Sequence, residues 1–238
     1  MAIIEYTTDD TVAIVSLNSG ENRFNPDFLK AFLDVLDKVE QSGTKTLVVT
    51  SSHEKIFSNG LDLEWLVPVI QKGDTEEAKK FFYLLNTFFK RTLTFPMITI
   101  AAMNGHAFAG GAIWACAFDF RFMRSDRGFF CIPEVDLGIP FLPGMIALLK
   151  KAIPPYKFEE MQYTGKRLTA EECKAHHIIT EACHKDKLTE TALAFAKGLN
   201  KNRNIIRPMK LRLYKDIIRE LEVEDIPYIE SGKFHIGG

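Results

Sequence analysis

At 238 residues the chain is long enough for one substantial α/β core, or one core with a small helical appendage. Thirty Lys and Arg against 31 Asp and Glu give a formal charge of -1, so the balance gives no support to polyanion binding, although a local basic patch stays open. Hydrophobic residues at 46% and charged residues at 26% are ordinary for a folded soluble protein, and no span of about 18 uncharged apolar residues indicates a membrane helix.

The N-terminal MAIIEYTTDD has no basic segment followed by a long apolar run, so no signal peptide is expected. TVAIVSLNS, with Val12, Ile14 and Leu17, reads as a strand. PDFLKAFLDVLDKVEQSG sets Phe28, Phe32, Val35, Leu36 and Val39 at helical spacing, with Pro26 to open the helix and Gly43 to close it. TKTLVVTSS is a second, β-branched strand, and strand–helix–strand within about fifty residues is a βαβ signal with a right-handed crossover. HEKIFSNGLDLEWL reads as a polar loop entering a helix near Asp62. Residues 74–92 form a long amphipathic helix with Phe81, Phe82, Leu85, Phe88 and Phe89, part of a chain rich in phenylalanine, with nineteen.

MITIAAMNG then reads as a buried strand and HAFAGGAIWACAFD as a small-residue helix. FRFMRSD and GFFCIP are two further short strands around the turn Asp126-Arg127-Gly128. Beyond Pro143 the pattern is helical, in GMIALLKKAI, PYKFEEMQYTG, TAEECKAHHI, KLTETALAFAKGLN and the charged PMKLRLYKDIIRELEVEDIPYIESG. An α/β core to about residue 145 or later and a helical C-terminal region are therefore expected. Cys116, Cys131, Cys173 and Cys183 have neither CxxC spacing nor a His partner at metal-site intervals, so they read as reduced core cysteines and no metal site is expected. The C-terminal FHIGG carries no recognised address, and cytoplasm is the expected compartment.

Local stretches of three kinds carry possible chemistry. In SNGLD, residues 58–62, Asn59-Gly60 is a turn pair before a helix start, so the Leu61 amide either caps a turn or points at a ligand oxygen. In NGHAFAGGAIWA, residues 104–115, Gly110 and Gly111 allow close backbone approach at a helix start. The spacing is not GxGxxG, so a dinucleotide site is unsupported; an anion-binding helix start or a tight strand–helix junction remains. In FFCIPEVDLGIP, residues 129–140, Glu134 follows an apolar run and Pro133. Beside an apolar pocket its basicity would be raised, and otherwise it is a turn or capping acid at a strand-to-loop boundary.

In this order and spacing, SNGLD, HAFAGG, RSDRG and PEVDLGI resemble the crotonase, or enoyl-CoA hydratase/isomerase, superfamily, most closely its Δ3,Δ2-enoyl-CoA isomerase branch. The resemblance covers essentially the whole chain. It implies a spiral core of stacked ββα units over residues 1–190 and a helical oligomerisation region over 191–238, assembled as a homotrimer or a dimer of trimers. It also implies an acyl-CoA substrate and no separate cofactor. The family's two oxyanion-hole amides fall on Leu61 and Gly110, and its catalytic base on Glu134. The second glutamate that the family's hydratases carry falls on Ile113, which can neither donate nor accept a hydrogen bond. That departure favours isomerisation over hydration. Asn59 and Gly60 lie in the first oxyanion loop. His53, Lys55, Ile56 and Phe57 fall on the segment that embraces the CoA adenine, with Lys55 either meeting a phosphate or standing as a solvated lysine. Leu63, Trp65, Leu66 and the Phe81–Phe89 face either shape an acyl tunnel or form core. His106 and Asp136 receive no chemical role. Another reaction of the superfamily, as a weak hydratase or a hydrolase, and a non-catalytic acyl-CoA-binding or scaffold role are the alternatives.

Overall fold

The computed structural model describes residues 2–234; Met1 and residues 235–238, with the end of the expected helical region and of FHIGG, lie outside the described residues. The main sheet runs, in spatial order, through Ile4–Asp9, Val12–Leu17, Thr46–Ser51, Ile98–Met103, Phe120–Arg124 and Glu181–Cys183. Its first two strands pair antiparallel, with Ile4 opposite Leu17, and every later pairing is parallel. Thr46–Ser51, buried except for a half-buried Thr50, and the fully buried Ile98–Met103 sit in the middle, as a parallel sheet covered on both faces requires.

A second layer of very short strands positions the site. Ile56–Ser58, His106–Phe108 and Phe130–Cys131 form a small parallel sheet, and Arg23–Phe24 pairs with Gly60–Leu61. From Val12–Leu17 to Phe120–Arg124, each strand of the main sheet feeds a short strand and then a helix. Thr46–Ser51 leads through Ile56–Ser58 to the Leu63–Gln71 helix. Ile98–Met103 leads through His106–Phe108 to the Gly110–Ala117 helix, and Phe120–Arg124 leads through Phe130–Cys131 to the turn Glu134–Leu137. Because the short strands lie parallel and adjacent, the residues that leave their C-terminal ends emerge side by side. Leu61, Gly110 and Glu134 all occupy such positions.

Helix starts follow local chemistry. Asn25 accepts from the Phe28 amide with Pro26 in the first turn, and Asp62 accepts from the Trp65 amide. The Pro26–Gln41 helix ends at Ser42, one residue before Gly43. Thr169 and Glu172 make a reciprocal capping box for the Ala170–Ala175 helix.

Aromatic rings fill the space between these helices and the sheets. Trp114 is fully buried, with Phe32 and Phe88 both 4.9 Å away between ring centroids, and its indole N–H donates to Thr92 Oγ1 at 3.0 Å. On the opposite sheet face, Val48, Ile100 and Phe122 pack against Leu188, Ala192 and Ala196 of the Lys185–Gly198 helix.

The structure differs from the sequence expectation in three places. HAFAGGAIWACAFD is not one helix: His106–Phe108 is a strand, and Ala109, at φ 50° and ψ -127°, breaks it from the helix. That left-handed φ is strained for a residue with a Cβ and lies directly before Gly110. The expected GFFCIP strand is confined to Phe130–Cys131, and beyond it Glu134 opens a single helical turn that Gly138 closes at φ 65°. The strand Glu181–Cys183 interrupts the expected all-helical stretch, recruited by pairing with Phe120–Arg124 rather than by any alternation of its own.

Candidate active site

The backbones carrying SNGLD and AFAGG cross in van der Waals contact. Gly60 sits at φ 73°, and a Cβ built there would lie 2.4 Å from the Gly110 nitrogen. A Cβ on Gly110 would lie 3.4 Å from the Leu61 nitrogen, and one on Gly111 would lie 2.2 Å from the Ser58 carbonyl oxygen. Only glycine permits this approach, which brings the Leu61 and Gly110 amides to one small region. As the first residue of its helix, Gly110 has an N–H without an intrahelical acceptor.

The far end of the same helix is also held. Lys151 donates to the Cys116 carbonyl at 2.9 Å and to the Phe118 carbonyl at 2.7 Å, while Arg121 donates to Phe118 at 2.8 Å. Burial lowers the Lys151 ammonium to about 7, and its hydrogen bonds run to carbonyls rather than carboxylates. Cations at a helix C-terminus complement its dipole, so the Gly110–Ala117 helix is fixed at both ends.

A cavity of about 610 Å³ opens in front of these amides. Leu61, Gly110 and Glu134 all line it, together with Asn59, Leu63 and Ile113. Glu134 is only 6% exposed, and its Oε2 has no hydrogen-bond partner. Desolvation raises its carboxyl to about 8, opposed only by a backbone hydrogen bond. Among the described residues that line the cavity, Glu134 is the sole carboxylate. The walls are otherwise mainly apolar, with Phe82, Leu85, Phe89, Phe141 and Met145 prominent.

The remaining sequence candidates stand elsewhere. Gly60 lies behind the cavity wall, against Gly110. Phe57 is fully buried and stacked on Trp114 at 5.5 Å, and Ile56 is buried beside it in the short strand. Trp65 packs on Phe81 at 5.0 Å, outside the cavity lining, and Leu66 is fully buried core. The His53 carbonyl accepts from Asn104, and Lys55 is exposed, with its carbonyl accepting from the His106 amide. His106 has its pKa lowered by desolvation and by Arg167 and Arg127. Asp136 is exposed and lies against the Gly165 turn, where a Cβ would come within 2.4 Å of its Oδ2.

Sequence reasoning missed Arg23, which lines the cavity and pairs with Glu21 and Glu64, both at 2.7 Å. It also missed Tyr228, Ser231, Lys233 and Phe234, which close the cavity from the C-terminal end of the chain. Nothing local marks these residues; only the tertiary fold brings them to the site. Among the described residues, no group of three or more His, Cys, Asp or Glu side chains could hold a metal, and no helix is long and apolar enough to cross a membrane.

Stacked ββα units, crossing glycine loops and a buried acid beside them thus meet at one apolar cavity. A family profile described as enoyl-CoA hydratase/isomerase matches residues 7–227. The chain is 30% identical over 224 residues to enoyl-CoA delta isomerase 3 of Arabidopsis thaliana, covering 90% of this chain and 92% of that one. It is 33% identical over 211 residues to a carnitinyl-CoA dehydratase of Salmonella typhi, covering 85% and 74%. Among solved structures, an enoyl-CoA hydratase/isomerase family protein from Pseudomonas syringae aligns with a TM-score of 0.85 at 27% identity, over 96% of this chain and 97% of that one. A Mycobacterium tuberculosis protein, described in one structure as an enoyl-CoA isomerase and in another as a probable enoyl-CoA hydratase, shares the fold with TM-scores of 0.86 and 0.87 at 22% and 21% identity, over 97% and 96% of this chain and 98% and 95% of that one. The chain belongs to the enoyl-CoA hydratase/isomerase family.

Proposed function

We propose that the protein is a Δ3,Δ2-enoyl-CoA isomerase, converting a 3-enoyl-CoA to the trans-2-enoyl-CoA. The observation that carries this reading is the lone, unpartnered carboxyl of Glu134 in an apolar cavity, with Ile113 in the wall where a second acid would serve hydration. In this reading the Leu61 and Gly110 amides donate to the thioester oxygen and make the C2 proton more acidic. Glu134 takes that proton, and the negative charge of the dienolate settles toward the two amides. Protonated Glu134 then delivers the proton to C4 of the same dienolate. Each preorganised amide is worth ~3 kcal/mol in the transition state. The raised proton affinity of Glu134 suits both halves of the transfer, since it must take a weakly acidic proton and then give it back. Adding water would require a second polar group to orient it, and Ile113 has none.

Asn59, Leu63 and Ile113 border the acyl group in this reading, and Gly60 permits the close approach of the two amides. The segment from His53 through Lys55, Ile56 and Phe57 lies on the CoA-adenine side, and Trp65 supports the tunnel from behind. Assembly is a homotrimer or a dimer of trimers, for which Ile205, Met209 and Leu213, exposed at four-residue spacing on one helix face, supply a contact stripe. The compartment is the cytoplasm.

Separate incubations with a 3-enoyl-, a 2-enoyl- and a saturated acyl-CoA, resolved chromatographically, test the reaction. Conversion of the 3-enoyl to the 2-enoyl thioester is expected. Formation of 3-hydroxyacyl-CoA at a comparable rate would replace isomerase by hydratase, and release of free CoA would point to hydrolysis.

A further inference from the structure

Behind the two amides lies a buried polar network that takes no part in the proton transfer itself. Ser58 and Asn22 are both fully buried. The Ser58 hydroxyl donates to the Asn22 carbonyl at 2.8 Å and accepts from the Gly60 amide at 3.1 Å. A serine hydroxyl has one proton, and Asn22 takes it, so the direction of both bonds is fixed. Asn22 is held in turn. Its side-chain amide donates to Ser51 Oγ at 2.8 Å and to the Phe57 carbonyl at 2.9 Å, while its Oδ1 accepts from the Ser19 amide at 3.0 Å. Its backbone stands at φ 52°, a left-handed conformation that asparagine tolerates better than most residues.

These bonds decide where the Leu61 N–H points. On either side of it, the Gly60 amide is taken by Ser58 and the Asp62 amide by the Phe24 carbonyl at 3.0 Å. Those two amides are turned toward the 22–24 segment, and the N–H between them points the other way, to the cavity that Leu61 lines. Gly60 alone would let the Leu61 peptide swing, because glycine has the widest backbone freedom. The bond from its amide to Ser58 removes that freedom.

The same serine also supports the second amide. A Cβ on Gly111 would lie 3.0 Å from Ser58 Cβ as well as against the Ser58 carbonyl, and the neighbouring Phe57 stacks on Trp114 of the same helix. The helix that presents Gly110 therefore rests directly on Ser58.

We propose that Ser58 is the positioning residue of the oxyanion hole: its hydroxyl aims the Leu61 amide through Gly60, and its backbone sets the Gly110 amide beside it. This rests on the reading of Leu61 and Gly110 as donors to a thioester oxygen, and not on which reaction follows. Ser58 touches no reacting atom. Without the hydroxyl, the Gly60 N–H and the Asn22 carbonyl lose their shared partner, and the Leu61 donor drifts from the line on which negative charge develops.

Infrared difference spectra of octanoyl-CoA, isotope-labelled at the thioester carbonyl and bound to the whole protein, test this without any turnover. Two donors on the oxygen should move the bound carbonyl stretch below its value in free solution. Ser58→Ala should lose about half of that shift or more. Its turnover of 3-enoyl-CoA should fall about ten- to hundred-fold, with KM within about three-fold, because the misplaced donor matters most in the transition state. Ser58→Cys keeps a side chain of similar shape with a weaker donor and longer bonds, and should lose part of the shift. Asp225→Ala is the control for stability alone. It loosens the joint where Asn86 and Gly144 tie the Thr75–Leu93 and Pro143–Ala152 helices to the C-terminal segment, and should keep the full shift. A full shift in Ser58→Ala or in Ser58→Cys would overturn the proposal, as would an equal loss in Asp225→Ala. No shift in the unaltered protein would remove the oxyanion reading of Leu61 and Gly110, and the role of Ser58 with it. A shift that Ser58→Ala loses, in a protein that does not turn over 3-enoyl-CoA, would uphold the positioning role and remove the isomerase assignment.

Discussion

Glu134 and Asp225 are both buried carboxyls, and burial raises both, to about 8 and about 6. Their surroundings differ in kind. Asp225 sits in a joint between three elements, takes hydrogen bonds from Gly144 and Asn86, and is sealed from solvent. Glu134 sits on a single helical turn at the edge of the cavity, with one oxygen bonded to nothing. A buried acid with two good donors holds structure together, and its cost of desolvation is offset locally. A buried acid with one oxygen left unbonded is destabilising unless something outside the chain completes it. At Glu134 the cavity supplies the space for that missing partner.

The contrast separates activity from stability, and mutations at the two acids should separate them as well. Glu134→Gln should lower turnover by about 10²–10⁴ while leaving the thermal midpoint nearly unchanged, because near neutral pH it replaces a mostly protonated carboxyl of the same shape. Initial rates and a melting curve on one preparation check both halves. Gly60→Ala comes next. Its Cβ would fall 2.4 Å from the Gly110 nitrogen at a backbone φ of 73°, pushing the two amides apart. Turnover should fall about 10²–10³, the size of losing one oxyanion donor.

At the other acid the signs reverse. Asp225→Ala leaves the Gly144 amide unpaired in a buried joint and takes one of two acceptors from the Asn86 amide group, which keeps the Leu221 carbonyl, and should remove about 1–3 kcal/mol of stability in urea titrations. The pH dependence is diagnostic too. Because the folded carboxyl titrates near 6 against an ordinary 3.8, its contribution to stability is full below the lower value and is lost as pH rises through the higher one. Asp225→Asn should abolish that decline; a decline of the same size in the variant would assign it to another group. The smallest effect belongs to Lys151→Met. Phe118 keeps its bond from Arg121, so only the Cys116 carbonyl loses its donor, with about 1 kcal/mol of stability lost.

Much of this was legible in the sequence, for physical reasons that also mark its limits. Helical spacing in 26–43 and 74–92 and the β-branched run at 46–51 fixed the main elements, because burial on one face writes a period into the chain. Glu134, Leu61 and Gly110 stand where strands end and glycines gather, so their motifs are local. Strands of two or three residues, such as Phe130–Cys131, are too short to carry a period, and pairing alone creates them. The strain at Ala109 splits what composition reads as one helix. Phe234 and Asp225 lie about ninety to a hundred residues beyond Glu134, and nothing in FHIGG or VEDIP announces a cavity wall or a joint.

The central claim is that Glu134 is the base and works alone in its cavity. The most direct test is the pH dependence of kcat/KM for conversion of 3-enoyl- to 2-enoyl-CoA between about pH 5 and about pH 9, which reports ionisation in the free enzyme. Because the base must be ionised to act, the rate should climb as pH rises toward an apparent value near 8, far above an ordinary glutamate. Glu134→Gln should be flat and at least about 10²-fold lower throughout. A pH-independent rate in the unaltered protein, or full activity in the variant, would contradict the assignment.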